Sequence, residues 1–140
     1  MARGLSELQQ SILRLAYRNR LERLDRIAES EPGSHEYRVY TQGVHSVDLY
    51  YAEVLREHFG WDVRGWWDPE REPRPKRGQN FSMREIGERR YRSAQTSLSR
   101  AVVRLETRGL VERCHHYLAG LDLTDQGVEE AKKLRERQPL

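Results

Sequence analysis

The sequence has a single cysteine, two phenylalanines, two methionines and no long apolar run. One cysteine, Cys114, excludes an internal disulfide and a multi-cysteine zinc site, so we expect packing alone to stabilise the fold. No segment approaches the ~18 apolar residues that span a bilayer, and the first residues lack the apolar run of a signal peptide, which predicts a cytoplasmic protein without membrane contact. A glycine-rich phosphate loop and a G-x-S-x-G motif are also missing, so we expect neither enzyme activity nor a cofactor.

The length and composition fit one domain over residues 1–140. The chain has 140 residues, and its 36% of hydrophobic residues can bury a core beside 34% of charged residues. The net charge is only +3, but eight cations and two anions lie between Arg74 and Arg100, a local charge of +6. A basic segment on a nearly neutral body is typical of a protein that contacts phosphates.

The N-terminal segment, residues 5–29, carries two apolar stripes at helical spacing on different faces. Either this helix breaks near Asn19, or one long helix buries two faces, the first against its own core and the second against another copy of the chain. The long helix predicts a homodimer. The first stripe contains Leu5, Leu8, Ile12 and Leu15, and the second, the expected dimer interface, contains Leu13, Tyr17, Leu21 and Leu24.

The middle of the chain alternates loops with short elements. We expect a loop at Ser30 to Ser34, a short extended piece within Tyr37 to Val47, and a helix Leu49 to Phe59 capped by Asp48 and ended by Gly60. Residues 61–80 have no period and predict an exposed Pro-rich loop. Trp66 or Trp67 either attaches this loop to the body, as we prefer, or contacts a partner. Its cations predict sequence-independent phosphate contacts through Arg74, Lys76 and Arg77.

From Ser82 onward the pattern predicts a helix, a two-stranded hairpin and a second helix. Ala94, Leu98, Ala101, Val102 and Leu105 form one apolar helical face, and Gly109 is placed to end the helix. Residues 110–114 and 121–123 alternate as short strands around a tip, and Thr124 is a candidate cap for a helix over 124–137. The face opposite Leu98 carries guanidinium groups and short hydroxyls, which can contact phosphates and base edges in a major groove: Arg89, Arg92, Ser93, Thr96, Arg100 and Thr107, with Ser99 at its edge.

The run L-S-R-A-V-V-R-L-E-T-R-G-L-V-E-R followed by L-D-L-T-D-Q-G resembles the recognition helix, wing and closing helix of MarR-like winged helix-turn-helix transcription regulators. The resemblance covers about residues 82–134 and implies a mainly α fold with a β-hairpin wing that binds double-stranded DNA, usually as a homodimer. Carried over position by position, it places Ser93, Gln95, Thr96, Ser99 and Arg100 at the groove-facing start of the recognition helix. It places Arg113, His115, His116 and Tyr117 on the wing.

The chain also departs from that family pattern. No clear turn precedes the recognition helix, so the positioning helix is either Met83 to Arg90 or, as we prefer, Leu49 to Phe59 with the Pro-rich loop inserted after it. The terminal helices are shorter than a typical MarR dimer interface, which argues against a small-molecule effector between subunits. Cys114, His115 and His116 are poorly placed for one metal ion, because neighbours on a strand point to opposite faces. The alternative function is a winged helix that binds another protein.

Overall fold

The computed structural model describes residues 4–61, 86–116 and 118–137. This part of the chain is mainly helical with one small antiparallel sheet, as predicted. Its elements, numbered in chain order, are α1 (Glu7–Glu29), α2 (His35–Thr41), a single 3-10 turn (Val44–Ser46), β1 (Leu49–Tyr50), α3 (Tyr51–Glu57), α4 (Glu88–Thr107), β2 (Val111–His115), β3 (Ala119–Leu123) and α5 (Asp125–Arg137).

Helix α1 is continuous for 23 residues and does not break near Asn19. It begins with a capping box, in which the Ser6 hydroxyl accepts from the Gln9 backbone N–H and the Gln9 amide oxygen accepts from the Ser6 N–H. Its first half buries Ile12 and Ala16 in the core. Because α1 contacts α2, α3, α4, α5 and the sheet, it is the central helix of the domain.

The segment before β1 was wrongly predicted. Residues 37–47 are not extended: they contain most of α2 and the 3-10 turn, because the Ser34 side chain caps α2 by accepting from the Tyr37 N–H at 3.1 Å. Asp48 does not cap the following helix. Its side chain is completely buried and accepts a hydrogen bond from the Leu123 N–H of the sheet. Leu49 and Tyr50 form β1, and α3 begins only at Tyr51.

The sheet has the strand order β1-β3-β2, with both pairs antiparallel. The hairpin of β2 and β3 matches the prediction to within two residues, with Val111 opposite Leu123 and His115 opposite Ala119. The short strand β1 adds to the other edge of β3, where Leu49 lies opposite Leu121. Strand β1 therefore pairs with a strand that follows it by about 70 residues in the sequence.

The C-terminal half agrees closely with the sequence pattern. All five apolar residues of the expected α4 face are buried, and Gly109, with φ of 76°, follows the end of α4 in the left-handed region. The Thr124 hydroxyl accepts from the Gly127 N–H at 3.0 Å and so caps α5. Helix α5 buries Ala131 and Leu134, the face that packs toward α1.

Candidate nucleic-acid interface

The outward face of α4 is exposed along the length of the helix. Its buried residues lie on one side, and the polar side chains singled out from the sequence lie in solvent. These exposed residues are Arg89, Arg92, Ser93, Gln95, Thr96, Ser99 and Arg100. Arg104 is exposed on the same face and was missed, although it follows Arg100 by four residues and so repeats the helical period.

Three details change the chemistry of this face. Arg92 forms an ion pair with Glu88 at 3.0 Å, one turn earlier. The Thr107 hydroxyl donates to the Val103 carbonyl at 2.9 Å, so it faces its own helix and is not directed outward. Val103 itself is 42% exposed and interrupts the polar surface with an apolar side chain.

Helix α4 begins at Glu88, directly after its N-cap Gly87, whose φ of 98° turns the chain there. Glu88, Arg89 and Arg90 form the first turn of α4 itself. The expected positioning helix Met83 to Arg90 therefore does not extend past residue 86, and residues 83–85 lie outside the described residues. The preferred alternative, Leu49 to Phe59, contains α3, which is shorter than expected. Which of the two positions α4 stays a prediction.

Two side chains of the hairpin segment contact the helical body. In the middle of β2, the Arg113 guanidinium donates to Glu106 of α4 at 3.0 Å, and this bond lowers the pKa of Glu106. Near its tip, a ring nitrogen of His116 lies 2.8 Å from the carbonyl oxygen of Gln42, which follows α2. His115 is exposed beside it, and Tyr117 lies outside the described residues.

A buried ionic cluster, which the sequence did not reveal, joins α1 to the sheet. The Asp48 carboxylate lies 3.2 Å from Arg20 and 3.0 Å from Arg23, and it accepts from the Leu123 N–H at 2.8 Å. Burial raises the pKa of Asp48, while the Leu123 hydrogen bond and the Arg23 charge oppose that effect. Arg20 also donates to the Leu123 carbonyl. This cluster fixes the base of the hairpin against the central helix.

The residues expected at a dimer interface divide into two groups. Leu13 is completely buried, so it belongs to the chain's own core and the expectation that it faces a partner is wrong. Tyr17 and Leu21 are half-buried, and Leu24 is 51% exposed. Tyr17 and Leu21 line an open cleft of about 760 Å³ between α1, the end of α3 and α5.

The expected Pro-rich loop, residues 61–80, is described only at its first position. Trp61 is 3% exposed and stacks on Tyr91 of α4 with ring centroids 5.3 Å apart, so it is a core residue rather than part of an exposed loop. Trp66 and Trp67 lie outside the described residues. So do the expected phosphate contacts Arg74, Lys76 and Arg77.

Within the described ranges, no group of three or more His, Cys, Asp or Glu side chains is placed to hold a metal ion. In the same ranges, no helix is both long and apolar enough to cross a membrane. Cys114 is half-buried on β2, and burial, followed by the charges of Asp122 and Asp48, raises the pKa of its thiol to about 11.

Comparison with known proteins finds no match: no family model, no curated protein and no solved structure aligns significantly with the chain. The resemblance to MarR-like regulators therefore depends on the residues quoted above.

Proposed function

We propose that the protein binds duplex DNA sequence-specifically through the outward face of α4 and regulates transcription as a winged-helix protein. The observation that carries this proposal is the composition of that face. Four exposed arginines and several short hydroxyl side chains share one side of a 20-residue helix whose other side is buried. Such a surface can reach phosphates and base edges at the same time.

The surrounding fold supports a winged-helix architecture. A helix that is followed at once by an antiparallel hairpin, with a short earlier strand on the far edge of β3, gives the order β1-β3-β2. In a winged helix, the helix before the hairpin enters the major groove and the hairpin contacts the neighbouring backbone. At 1.5 Å per residue α4 is about 30 Å long, and its diameter of about 10–12 Å matches the ~12 Å major groove.

The position of each side chain along α4 separates the expected phosphate contacts from the expected base contacts. Arg89, Arg92 and Arg104 lie toward the two ends of the face, where long cationic side chains reach phosphates and fix the register. Thr96 and Arg100 lie between them, one turn apart, and are the candidates for base contacts. On the hairpin, His115 and Arg113 are exposed, and Arg113 reaches α4 through its ion pair with Glu106.

The test is a selection from random duplexes, followed by affinity measurements with the selected site. Thr96→Ala and Arg100→Ala should each weaken binding by about 1–3 kcal/mol, or roughly 5- to 150-fold, because each removes a base contact. Lys132→Ala is the control, since Lys132 is exposed on α5 and forms a surface ion pair with Glu129. Unchanged affinity in both α4 variants, with folding intact, would refute the assignment.

One observation favours the second candidate, a module that binds another protein. Val103 gives the α4 face an apolar side chain of the kind found at the centre of protein interfaces. A salt series separates the two functions. A DNA-binding protein loses affinity for random duplex steeply as salt rises, because counterions are released on binding, whereas a protein-binding module shows no duplex binding at low salt.

A further inference from the structure

Val103 is an exposed apolar side chain within the polar outward face of α4. It is 42% exposed, and in the part of the chain that the structure describes only one other large apolar residue, Leu24 of α1, is as exposed. The four neighbours of Val103 on α4, at spacings of three and four residues, are all polar: Ser99, Arg100, Glu106 and Thr107. Val103 is therefore an isolated apolar group on a surface of guanidinium and hydroxyl groups.

The helical period places Val103 in line with the residues proposed above to contact bases. Val103 follows Thr96 by seven residues and Arg100 by three, so the three side chains lie on one side of α4. At 1.5 Å per residue, Val103 lies about 10 Å beyond Thr96 along the helix axis. Because base pairs are about 3.4 Å apart, this distance corresponds to about three base pairs in a bound duplex.

The side chain of Val103 is suited to a fixed apolar contact. A β-branched residue in a helix has one strongly preferred χ1 rotamer, so the directions of its two methyl groups are defined. The next polar group on this side, the Thr107 hydroxyl, donates to the Val103 carbonyl at 2.9 Å and faces its own helix. A contact with the Val103 methyl groups therefore costs little side-chain entropy.

We propose that Val103 contacts the C5-methyl group of a pyrimidine in the major groove and so determines the sequence preference at that base pair. This inference rests on the proposed DNA-binding function. In the major groove, the C5-methyl group of thymine is the apolar group that the base edges present, beside hydrogen-bond donors and acceptors. The base 5-methylcytosine carries the same methyl group, so both pyrimidines have the chemistry that Val103 recognises.

Desolvation disfavours the other bases opposite Val103. A valine side chain against a polar base edge removes water from donors and acceptors and offers them no hydrogen bond in return. A protein partner is also a poorer occupant, because the centre of a protein interface combines several apolar and aromatic side chains. One valine among polar neighbours matches a single methyl group better.

Deoxyuridine substitution tests the contact, because uracil pairs as thymine does and lacks only the C5-methyl group. In a duplex selected by the wild-type protein, each thymine is replaced in turn. At the position that Val103 contacts, uracil should weaken binding about three- to tenfold, as expected for the loss of one buried methyl group. This position should lie about three base pairs from the pair whose preference is relaxed by Thr96→Ala.

The variant Val103→Ala assigns the methyl contact to this side chain. It should bind the thymine duplex about as weakly as the wild type binds the uracil duplex, and uracil should weaken it no further. Leu24→Ala is the matched control, because it removes a similarly exposed apolar side chain from α1 and should keep the full uracil effect. Circular dichroism should show that Val103→Ala is folded, since alanine is the better helix former.

A third arm distinguishes the two sources of the methyl group. With cytosine at the sensitive position, binding should be weak, and 5-methylcytosine there should strengthen binding of the wild type but not of Val103→Ala. Equal affinity for the two cytosine forms would overturn recognition of the methyl group itself.

The outcomes separate this inference from the proposed function. A uracil effect of equal size in Val103→Ala, or a selected duplex in which no thymine is sensitive to uracil, would overturn the inference and leave DNA binding intact. The uracil scan of the wild-type protein requires no variant, so it decides even where Val103→Ala does not fold. A protein that binds no duplex would overturn the proposed function and this inference together.

Discussion

Gly127→Ala should destabilise the fold strongly, although alanine is the better helix former. A Cβ atom at this position would lie 1.9 Å from the backbone carbonyl oxygen of Leu110. The approach is close because the Thr124 N–H donates to that same oxygen at 3.1 Å and the Thr124 hydroxyl donates to the Gly109 carbonyl. The first turn of α5 is thereby held against the turn that ends α4.

The magnitude follows from two opposing effects. Replacing glycine by alanine gains about 1 kcal/mol in a helix interior, which is an upper bound for the first turn of α5. Relief of the contact requires the two backbones to separate by more than 1 Å, which strains or breaks the two hydrogen bonds of Thr124, and overpacking of this kind costs about 1–3 kcal/mol, with more where backbone must move. Adding roughly 1 kcal/mol for each lost hydrogen bond gives a net loss of about 2–4 kcal/mol.

Urea denaturation followed by circular dichroism measures this loss. The control is Gly33→Ala, which meets no atom within 4 Å but has a φ of 84°, so it should cost only about 1 kcal/mol through backbone strain. A Gly127→Ala protein as stable as the wild type, or more stable, would show that α5 does not approach Leu110 so closely and would refute the reasoning.

Three other perturbations follow from the described contacts and from the sequence. Asp48→Asn should cost about 3–5 kcal/mol in urea denaturation, because it leaves two partly buried arginines without their counter-charge; a loss below 1 kcal/mol would contradict the cluster. The thiol of Cys114 should react with a maleimide at pH 8 about 100-fold more slowly than in urea, because its raised pKa leaves little thiolate. Because this pKa is higher in the folded state, the free energy of unfolding should fall as the pH rises from about 9 to about 11, and Cys114→Ser should reduce that fall; the part that persists belongs to groups such as Tyr51, whose pKa is also raised by burial. Replacing the loop cations Arg74, Lys76 and Arg77 together by glutamine should lower the salt slope of DNA binding by up to about three without changing sequence preference. A changed preference would show that the loop reads bases.

The sequence predicted the elements whose signals are local. The apolar period of α4, the left-handed glycine that ends it and the threonine that caps α5 each lie within a few residues of the feature that they determine. The hairpin was found for the same reason, since alternation and a tip between two strands are adjacent in the chain. The exposed α4 face follows directly, because burial of one side of a helix leaves the other in solvent.

The errors share a different cause. Aspartate commonly caps helices, which is why Asp48 was expected to cap one. Its partners Arg20 and Leu123, however, lie 28 and 75 residues away in the sequence. Trp61 begins a Pro-rich segment and was assigned to a loop, but it packs on Tyr91, 30 residues later. Leu13 continues the apolar stripe of α1 but is covered by its own chain. In each case a non-local contact outweighs the local pattern, and periodicity contains no information about that contact.

The ionic cluster at Asp48 leads to a last prediction about the homodimer that the two apolar stripes of α1 predict. Because Arg20 and Arg23 of α1 hold Asp48 and β3, a dimer built on α1 would fix the separation of the two hairpins and of the two α4 helices. The selected DNA site should therefore be a palindrome with half-sites about one helical turn, or roughly 34–36 Å, apart. Inserting five base pairs between the half-sites turns one to the opposite side of the duplex, so affinity should fall to that of a single half-site. An affinity that does not depend on the spacing would show that the two DNA-binding surfaces act independently.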